Sequence, residues 1–451
     1  MKKETISLIE GNSKIGMLSF AVPIFLGQLF QQLYNIVDAI VVGNYVGENA
    51  LAAVTSTGAL IFLLVGFFGG LYSGVGVVIS RYFGAGNDEK VKKSVGTAVS
   101  FGLVSGVILT IIGVLFTPGI LRLMGTPNDV FTDSLLYIRT YFLGIIFIVM
   151  YNTACGIFNA IGDSKHPLYY LIVSAVINVV LDIVFVKFFN MGVIGAALAT
   201  VIAQGISAFL AFLRLYRIDE VYKVTFKGIC FEKNIFKSMI RIGLPSGIQN
   251  SVIAFANVIV QSSINSFGPV AMAGNGAYLK LEGFAFIPVT AFSTAITTFV
   301  SQNIGAKKFE RVKEGVRFGI LFSCISAEII GLVIFLFSPY LIQIFGDSKD
   351  VVGVGVQRSN INSMFFFLLS FSHCISGVLR GAGKSKIPML TMLGCWCVIR
   401  VIYINIVTTL FHNINLVFWA YPITWTLSSI IFLLYYKKSN WLKDCEEKAL
   451  V

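Results

Sequence analysis

The sequence predicts an all-α integral membrane protein with twelve transmembrane helices in two pseudo-symmetric six-helix bundles. Three observations predict this fold class: the composition, a series of long apolar stretches and an internal repeat. Of the 451 residues, 56% are hydrophobic and only 12% are charged, whereas about 25% of the residues of a soluble domain are charged. Most of the chain therefore belongs in a lipid bilayer.

Twelve apolar stretches are each long enough to cross the hydrocarbon core, which takes about 20 helical residues. None shows the alternation over about 10 residues that marks a membrane β-strand. The first stretch is too long for a secretory signal and shows no small-residue cleavage site. The predicted spans are 15–42, 52–80, 94–116, 135–160, 167–187, 193–216, 238–265, 272–303, 317–338, 358–380, 387–410 and 414–436.

The two halves of the chain carry the same landmarks 221 residues apart. Because six spans separate equivalent positions, the two bundles share one orientation and are related by a pseudo-twofold axis along the membrane normal. We expect a first bundle at 1–217, a solvated cytoplasmic linker at 218–236 and a second bundle at 237–451. The paired landmarks are Ser80 and Ser301, Gly84 and Gly305, Lys92 and Lys313, Pro118 and Pro339, Gly162 and Gly383, and Pro167 and Pro388.

Lysine and arginine are concentrated in alternate loops. One set of loops, with both termini and the central linker, holds 27 of the 34 basic residues. The positive-inside rule places this set, and hence both termini, in the cytoplasm. The net charge of +12 is therefore distributed along a membrane surface and does not indicate a nucleic-acid partner. The other set of loops holds only Arg122, Arg139, Lys187, Lys349 and Arg358.

The sequence lacks the short motifs of common enzymes. It has no Walker loop, no HExxH, no GxSxG and no CxxC pair, and its three histidines, His166, His373 and His412, are scattered. These motifs would supply phosphate binding, metal ligands or a nucleophile. We therefore expect no enzymatic activity and no cofactor, so that any transport must draw on an ion gradient.

Four acidic residues lie well inside predicted spans: Asp38, Asp182, Glu282 and Glu328. An ionisable side chain at bilayer depth costs several kcal/mol and usually faces a cavity or a partner. These residues are therefore the first candidates for function.

Three spans of the first bundle each carry a polar stripe. The fifth span places Asn178 one turn before Asp182, and the sixth places Ala196 one turn before Thr200. Residues at these spacings share a helix face. The stripe of the first span contains Gln31, Tyr34, Asn35 and Asp38.

If these stripes converge, two carboxylates, an amide, a hydroxyl and a backbone carbonyl surround a small space. Such oxygen ligands can hold a bare cation. Alternatively, two neighbouring carboxylates in a low-dielectric pocket repel each other, and the pair can carry a proton. Either ligand changes the charge of the site by one unit, which can couple an ion gradient to a conformational change. The structural alternative is that Asp38 and Asp182 only form hydrogen bonds that fix helix packing.

The repeat favours function over packing. At offsets of 221 to 222, Asp38 aligns with Ile259 or Val260, and Asp182 aligns with Tyr403. The second bundle keeps the fold without these acids. The ion site is therefore expected in the first bundle alone.

The chain resembles the multidrug and toxic compound extrusion (MATE) transporters over essentially its whole length. The similarity lies in Pro23 and Asp38 of AVPIFLGQLFQQLYNIVDAIVVG, the turns SRYFGAG and SQNIGAKK, the loops FNAIGDSKHP and LRGAGKSKIP, and INVVLDIVFV. The resemblance implies two six-helix lobes around a central cleft that alternates access. It implies a secondary active transporter of the cell membrane, expected to be monomeric, that exports amphipathic and often cationic compounds in exchange for Na⁺ or H⁺.

The resemblance also implies a set of site residues. By match to the family's motifs, the cation site of the first lobe consists of Asp38, Asn178, Asp182, Ala196 and Thr200. If Na⁺ is the coupling ion, all of these except Ala196 are expected to bind it through their side chains.

The second lobe departs from the family pattern, because some members carry a carboxylate in the seventh span and this chain has none there. In the eighth span, Tyr278 and Glu282 share a face. Together with Gln31, Tyr34 and Asn35, they are candidates for substrate binding or for a second coupling site.

The alternative for Glu282 is an ion pair that holds the lobe together. Residues 280 and 282 point apart on a helix, so Arg400 is a better expected partner than Lys280.

Two other functions remain open from the sequence. A flippase of lipid-linked sugars belongs to the same wider superfamily, but such flippases resemble fourteen-span chains with cationic cavities, and Arg400 is nearly the only deep arginine expected here. A membrane receptor or membrane-embedded enzyme is less favoured, because the paired acids serve no evident purpose in the former and a catalytic constellation is missing for the latter.

Overall fold

The computed structural model describes residues 8–46, 48–123, 126–345 and 348–450. Throughout these ranges the regular structure is helical, without a β-strand. Eleven helices in the described chain are long and apolar enough to cross a membrane. A twelfth span is a bent pair, Asp129–Leu143 and Ile145–Ala160, with 48° between its two parts. The predicted all-α fold with twelve spans is confirmed.

Seven helices lie in the first half of the chain. The sixth of them, which ends at Asp182, continues into a π-helical turn at Ile183–Phe188. The seven helices are α1 (Ser13–Tyr45), α2 (Glu48–Gly84), α3 (Asp88–Leu123), α4 (Asn128–Leu143), α5 (Ile145–Ala160), α6 (Lys165–Asp182) and α7 (Gly192–Arg217).

The second half repeats this order with two more interruptions and a C-terminal helix. The interruptions are a 3₁₀ turn at Ser363–Phe365 and a π-helical turn at Leu393–Ile399. The helices are α8 (Lys233–Asn265), α9 (Pro269–Gly305), α10 (Phe309–Gln343), α11 (Lys349–Asn362), α12 (Phe366–Gly381), α13 (Lys386–Met392), α14 (Arg400–Phe411), α15 (Ile414–Lys438) and α16 (Lys443–Leu450).

The backbone follows the repeat that the sequence predicts. The helices α3, α4, α5 and α6 begin 221 residues before α10, α11, α12 and α13. The turns after α5 and α12 also match, because Gly162 has φ 91° and Gly383 has φ 80°. In each turn an amide closes the helix end, from Asp163 to the carbonyl of Phe158 at 2.9 Å and from Lys384 to that of Leu379 at 2.7 Å. Glycine suits both positions because it adopts positive φ without steric cost.

The chain divides into two compact units that differ slightly from the two sequence halves. Leu26–Arg241 belong to one unit, which we call the first lobe. The chain from Ile242 onward forms the second lobe, together with the start of α1 up to Phe25. The change of unit within α1 occurs two residues after Pro23, which removes a helical hydrogen bond.

The second lobe holds the segment before α1 through backbone carbonyls. The guanidinium of Arg311 donates to the carbonyl of Gly11 at 2.6 Å, to that of Glu10 at 2.8 Å and to that of Leu8 at 3.1 Å. The ammonium of Lys308 donates to the carbonyl of Ile9 at 3.0 Å. These bonds explain why the start of α1 belongs to the second lobe.

The polar segment after α7 packs on the first lobe. The amide of Glu232 donates to the Thr97 hydroxyl of α3 at 3.2 Å, and the Ser100 hydroxyl donates to the carbonyl of Cys230 at 3.0 Å. Tyr222 is buried. The segment is therefore only partly solvated.

Gly144 allows the bend between α4 and α5. A Cβ at this position would lie 2.1 Å from a methyl carbon of Val201 in α7. No side chain larger than hydrogen fits while α7 stays in place, and α7 carries Ala196 and Thr200.

We predict that Gly144→Ala lowers the stability of the purified protein by about 1–3 kcal/mol, the usual cost of overpacking. Thermal unfolding in detergent is the measurement. Gly119→Ala is the matched control, because a Cβ there meets nothing within 4 Å. Adding Val201→Ala to Gly144→Ala should restore most of the loss, and equal stability of the two glycine variants would refute the steric explanation.

Candidate cation-binding site

The two acids of the first lobe lie side by side. Asp38 is on α1 and Asp182 is the last residue of α6, and their carboxyl groups interact directly. Asp182 is fully buried. Both oxygens of Asp182 and one oxygen of Asp38 are buried and receive no hydrogen bond from any other described residue. Burying such polar atoms without partners is costly, so the arrangement favours a positively charged ligand.

The amide and hydroxyl of the predicted site are also joined. The Asn178 amide nitrogen donates to the Thr200 hydroxyl at 3.4 Å, and this hydroxyl donates to the carbonyl of Ala196 at 3.1 Å. The amide oxygen of Asn178 is buried without a hydrogen-bond donor among the described residues. Asn178 thus turns its free oxygen, one turn from Asp182, toward a potential ligand. The structure thus brings Asn178, Thr200 and the carbonyl of Ala196 together, and their role in binding a cation stays a prediction.

The local backbone explains how Asp182 is placed. The helix α6 ends at Asp182 and changes to a π-helical turn, in which the amide of Phe189 donates to the carbonyl of Val184 at 3.0 Å. Such turns widen a helix locally and occur often at functional sites. No residue pattern predicts this turn, because its composition is that of a mainly apolar helix.

Two tyrosines that the sequence did not single out lie in this region, one of them near the two acids. Tyr137 and Tyr141 of α4 are buried and stacked, with ring centres 6.5 Å apart. Tyr137 lies within electrostatic range of both acids, and Tyr34 of α1 does so too. The side chain of Gln31 contacts the phenol of Tyr34. The i, i+4 spacing of Tyr137 and Tyr141 was the available signal.

The side chain of Asn35, predicted to share the face of Gln31 and Tyr34, lies outside the described part of the structure. Its expected role in substrate binding therefore stays a prediction.

The oxygens near Asp182 come from two carboxyl groups and one amide. No group of three or more histidine, cysteine or acidic side chains that could hold a metal ion occurs among the described residues. The described ion pairs involve neither Asp38 nor Asp182. Carboxylate and amide oxygens of this kind can hold a hard cation, and two neighbouring carboxyl groups can instead carry a proton.

In the second lobe, Glu282 has a different partner from the one predicted. The carboxylate of Glu282 lies 3.3 Å from the guanidinium of Arg358, and the expectation that Arg400 is its direct partner was wrong. Arg358 was assigned to the extracellular loops, but it lies on α11 and is 0% exposed. Its charge at the predicted start of the tenth span, 358–380, suggested a loop. The helix α11 begins earlier, at Lys349, so Arg358 lies within the helix.

Arg400 is held by neutral groups. Its guanidinium donates to the Thr424 hydroxyl at 2.8 and 3.1 Å. It lies 4.5 Å from the ring centre of Tyr421 and 5.5 Å from that of Trp396. The second lobe thus has at least two deep arginines, and the argument against a flippase from a lone deep arginine no longer holds.

The contacts of Tyr278 and Glu328 indicate structural roles. Tyr278 is fully buried, and its ring centre lies 4.8 Å from the guanidinium of Arg358. The carboxylate of Glu328 accepts from the amide of Phe367, in the first turn of α12, at 3.0 Å. First-turn amides lack a helical partner, so Glu328 stabilises the start of α12 after the 3₁₀ turn.

Comparison with known proteins identifies the family. The family model MatE matches residues 23–184 and again 245–406. The chain belongs to the MATE family. The two matches are displaced by 222 residues, which confirms the internal repeat. As a MATE protein, the chain is a multi-pass membrane transporter and not an enzyme.

Relatives and solved structures agree with this assignment. The chain is 30% identical over 93% of both chains to the probable multidrug resistance protein YoeA of Bacillus subtilis (strain 168). It is 26% identical to the probable multidrug resistance protein NorM of Thermotoga maritima, over 84% of this chain and 82% of NorM. The fold matches the outward-facing structure of a MATE family multidrug resistance transporter, with a TM-score of 0.91, 21% identity and coverage of 99% of this chain and 100% of that one.

We predict that Asp182→Asn does not lower the stability of the protein and raises it instead. The substitution removes a buried like-charge contact and supplies an amide donor for Asp38. Thermal unfolding in detergent without sodium is the measurement. Asp163→Asn is the comparison: Asp163 lies 2.5 Å from the ring of His166, and its loss should reduce stability. A drop for Asp182→Asn as large as that for Asp163→Asn would indicate a structural pair.

Proposed function

We propose that this MATE protein is an antiporter that exports amphipathic compounds, cationic ones among them, in exchange for Na⁺ or H⁺. The observation that carries the proposal is the buried pair of carboxyl groups, Asp38 and Asp182, with its unpartnered oxygens. The names of the relatives in Bacillus subtilis and Thermotoga maritima, both multidrug resistance proteins, support drugs or toxic compounds as cargo. The protein acts in the cell membrane as a monomer with both termini in the cytoplasm.

The proposed coupling begins with the charge of the site. With both acids ionised and no ligand, the like charges repel in a medium of low dielectric constant. A cation or proton that enters from outside removes this repulsion and draws Asp38 toward Asp182. The ligand thereby favours one conformation over another by its difference in binding free energy.

The helix α1 is suited to transmit this change. Asp38 lies on its second part, within the first lobe, whereas the part up to Phe25 belongs to the second lobe. Pro23 interrupts the helical hydrogen bonds close to this change of unit. A pull on Asp38 therefore acts on a helix that both lobes hold, which bends or repacks α1 and releases the compound. Discharge of the ion into the cytoplasm accompanies the return.

The first test is efflux of a fluorescent cationic dye from proteoliposomes, with sodium and pH gradients imposed separately. We predict that Asp38→Asn abolishes gradient-driven efflux, because the variant can neither release a proton nor provide the charge for a cation. Glu310→Gln is the matched control, because Glu310 is an exposed acid paired with Lys313. Normal efflux by Asp38→Asn at equal insertion would rule out this mechanism.

We predict that Thr200→Val distinguishes the two coupling ions. A bare cation needs the neutral oxygens of the site, whereas a proton resides on a carboxyl group. If Na⁺ couples, the Na⁺ concentration that gives half-maximal efflux should rise about tenfold, as expected for the loss of one hydrogen-bond-strength interaction. If H⁺ couples, the pH dependence should stay unchanged. A sodium-driven protein that keeps its sodium dependence in this variant would contradict the assigned role of Thr200.

A further inference from the structure

The second lobe buries more positive than negative charge around one tyrosine ring. The guanidinium groups of Arg358 and Arg400 lie 4.7 Å and 4.5 Å from the ring centre of Tyr421. Arg358 is 0% exposed and Arg400 is 2% exposed. Glu282 is the only carboxylate that the described ion pairs bring to either arginine. One positive charge of this cluster is therefore not balanced by a directly bonded acid.

The hydrogen bonds of the two arginines separate their roles. Arg358 donates to Glu282 and to the amide oxygen of Asn275, so its charge is paired. Arg400 donates to Thr424, a neutral hydroxyl. Burial of a guanidinium without a carboxylate partner is costly, because hydroxyls and aromatic faces replace only part of its hydration. Arg400 thus has no directly bonded acid among the described residues, and Arg358 keeps its Nε buried without an acceptor, so both arginines can contribute to binding a negatively charged ligand.

A second polar group in the cluster is unsatisfied. Asn362 is the last residue of α11, one helical turn after Arg358, and is fully buried. Neither its amide nitrogen nor its amide oxygen has a hydrogen-bond partner among the described residues. A buried amide normally makes such bonds. An amide N–H one helical turn from Arg358 can donate to an anion that Arg358 attracts.

The repeat supports a ligand-binding role for these positions. An offset of 221 relates Arg358 to Tyr137 and Asn362 to Tyr141. In the first lobe, Tyr137 lies within electrostatic range of Asp38 and Asp182, and Tyr141 stacks on Tyr137. The corresponding backbone positions of α11 thus face the interior of the second lobe, but with a guanidinium and an amide in place of two phenols.

A row of amide side chains leads from this cluster to an exposed residue. Asn275, bonded to Arg358, donates to the side chain of Gln261 at 2.8 Å. Gln261 donates to the side chain of Asn265 at 2.8 Å, and Asn265 is exposed at the end of α8. The cluster is therefore connected to the surface of the lobe by polar groups and not enclosed by apolar ones alone.

We propose that Arg400, Arg358 and Asn362 form a binding site for an oxyanion group, the carboxylate or phosphate of an amphipathic compound. Arg400 supplies the charge, Asn362 an N–H donor, and Arg358, already paired with Glu282, adds long-range attraction. A guanidinium fork matches the two oxygens of such a group. The inference that the bound compound is exported rests on the proposed export function. It adds zwitterions and organic anions to the compounds that the protein exports.

The test measures binding to the purified full-length protein, without a gradient. The probe is octanoate, an amphipathic carboxylate, compared with octanamide and octylammonium, which share its chain. Trp396, 5.5 Å from the guanidinium of Arg400, provides a local fluorescence signal, and titration calorimetry provides an independent affinity. We expect octanoate to bind well and the two comparison compounds to bind at least about tenfold more weakly, as the loss of a charge-assisted hydrogen bond predicts.

The variants separate the site from the general charge of the protein. Arg400→Gln should weaken octanoate binding at least about tenfold, and Arg400→Lys should recover only part of the loss, because it keeps the charge without the fork. Lys349→Gln, at an exposed cation on the same helix as Arg358, is the matched control and should bind like the parent. Equal octanoate affinity in Arg400→Gln and the parent would overturn the proposal.

Misfolding and lipid binding are tested in parallel. If Arg400→Gln loses thermal stability, Asn362→Leu provides a second variant that removes the donor and keeps both arginines, and its octanoate affinity should fall. Octanoate binding is then measured in nanodiscs of anionic phosphatidylglycerol and of neutral phosphatidylcholine. Loss of binding in phosphatidylglycerol alone would assign the site to a lipid phosphate. Retained binding in both lipids assigns it to soluble compounds. Absence of octanoate binding in detergent and in both lipids would refute the site.

Failure of this inference can be told apart from failure of the proposed function. Asp38→Asn should lose gradient-driven efflux and still bind octanoate with the parent's affinity. Arg400→Gln should weaken octanoate binding at least about tenfold in an assay without a gradient, so this result does not depend on the coupling mechanism. If Asp38→Asn transports normally while Arg400→Gln loses octanoate binding, only the coupling mechanism is wrong.

Discussion

The contact of two carboxyl groups inside the first lobe is the constraint on which the functional interpretation depends. Asp38 and Asp182 come from helices far apart in sequence and meet where hydrogen-bond donors are scarce. In a folded domain selected for stability alone, such a pair would be replaced or given an arginine. Its presence without one is explained when a cation or proton completes the site for part of the cycle. The π-helical turn follows Asp182 directly, Asn178 lies one turn before it, and Tyr137 of α4 lies within electrostatic range of both acids.

Much of the fold and of this site could be predicted from the sequence, for identifiable reasons. The spans follow from composition and length, and the repeat follows from turn residues such as Gly162 and Gly383, which need unusual backbone angles. Asn178, Asp182, Ala196 and Thr200 were predictable because helical spacing fixes which residues share a face. That spacing, however, describes one helix at a time. The partner of Glu282 depends on where α11 begins and on how it packs beside α9. No residue pattern within a single helix reveals that packing.

Arg358 shows the same limit from the other side. A charge at the end of an apolar stretch predicts a loop, and at most membrane boundaries that rule holds. Here the guanidinium is satisfied inside the lobe by Glu282, by Asn275 and by the faces of aromatic rings. Those partners lie on α9 and α15, more than fifty residues away along the chain in either direction. The tertiary structure therefore overrides the local charge signal.

The duplication explains how one fold can contain the two sites of opposite polarity that we propose. The two lobes begin their helices at the same spacing, so each has a position on α4 or α11 that faces its interior. What differs is chemistry: phenols beside two acids in the first lobe, a guanidinium and an amide beside a glutamate in the second. A change of a few side chains in one copy costs little when the other copy keeps the original role. The backbone is thus set by packing that both lobes share, while the charge at each interior site is free to diverge. A coupling ion and a cargo group of opposite charge can then be recognised in separate copies of the same architecture, without competition for the same ligands.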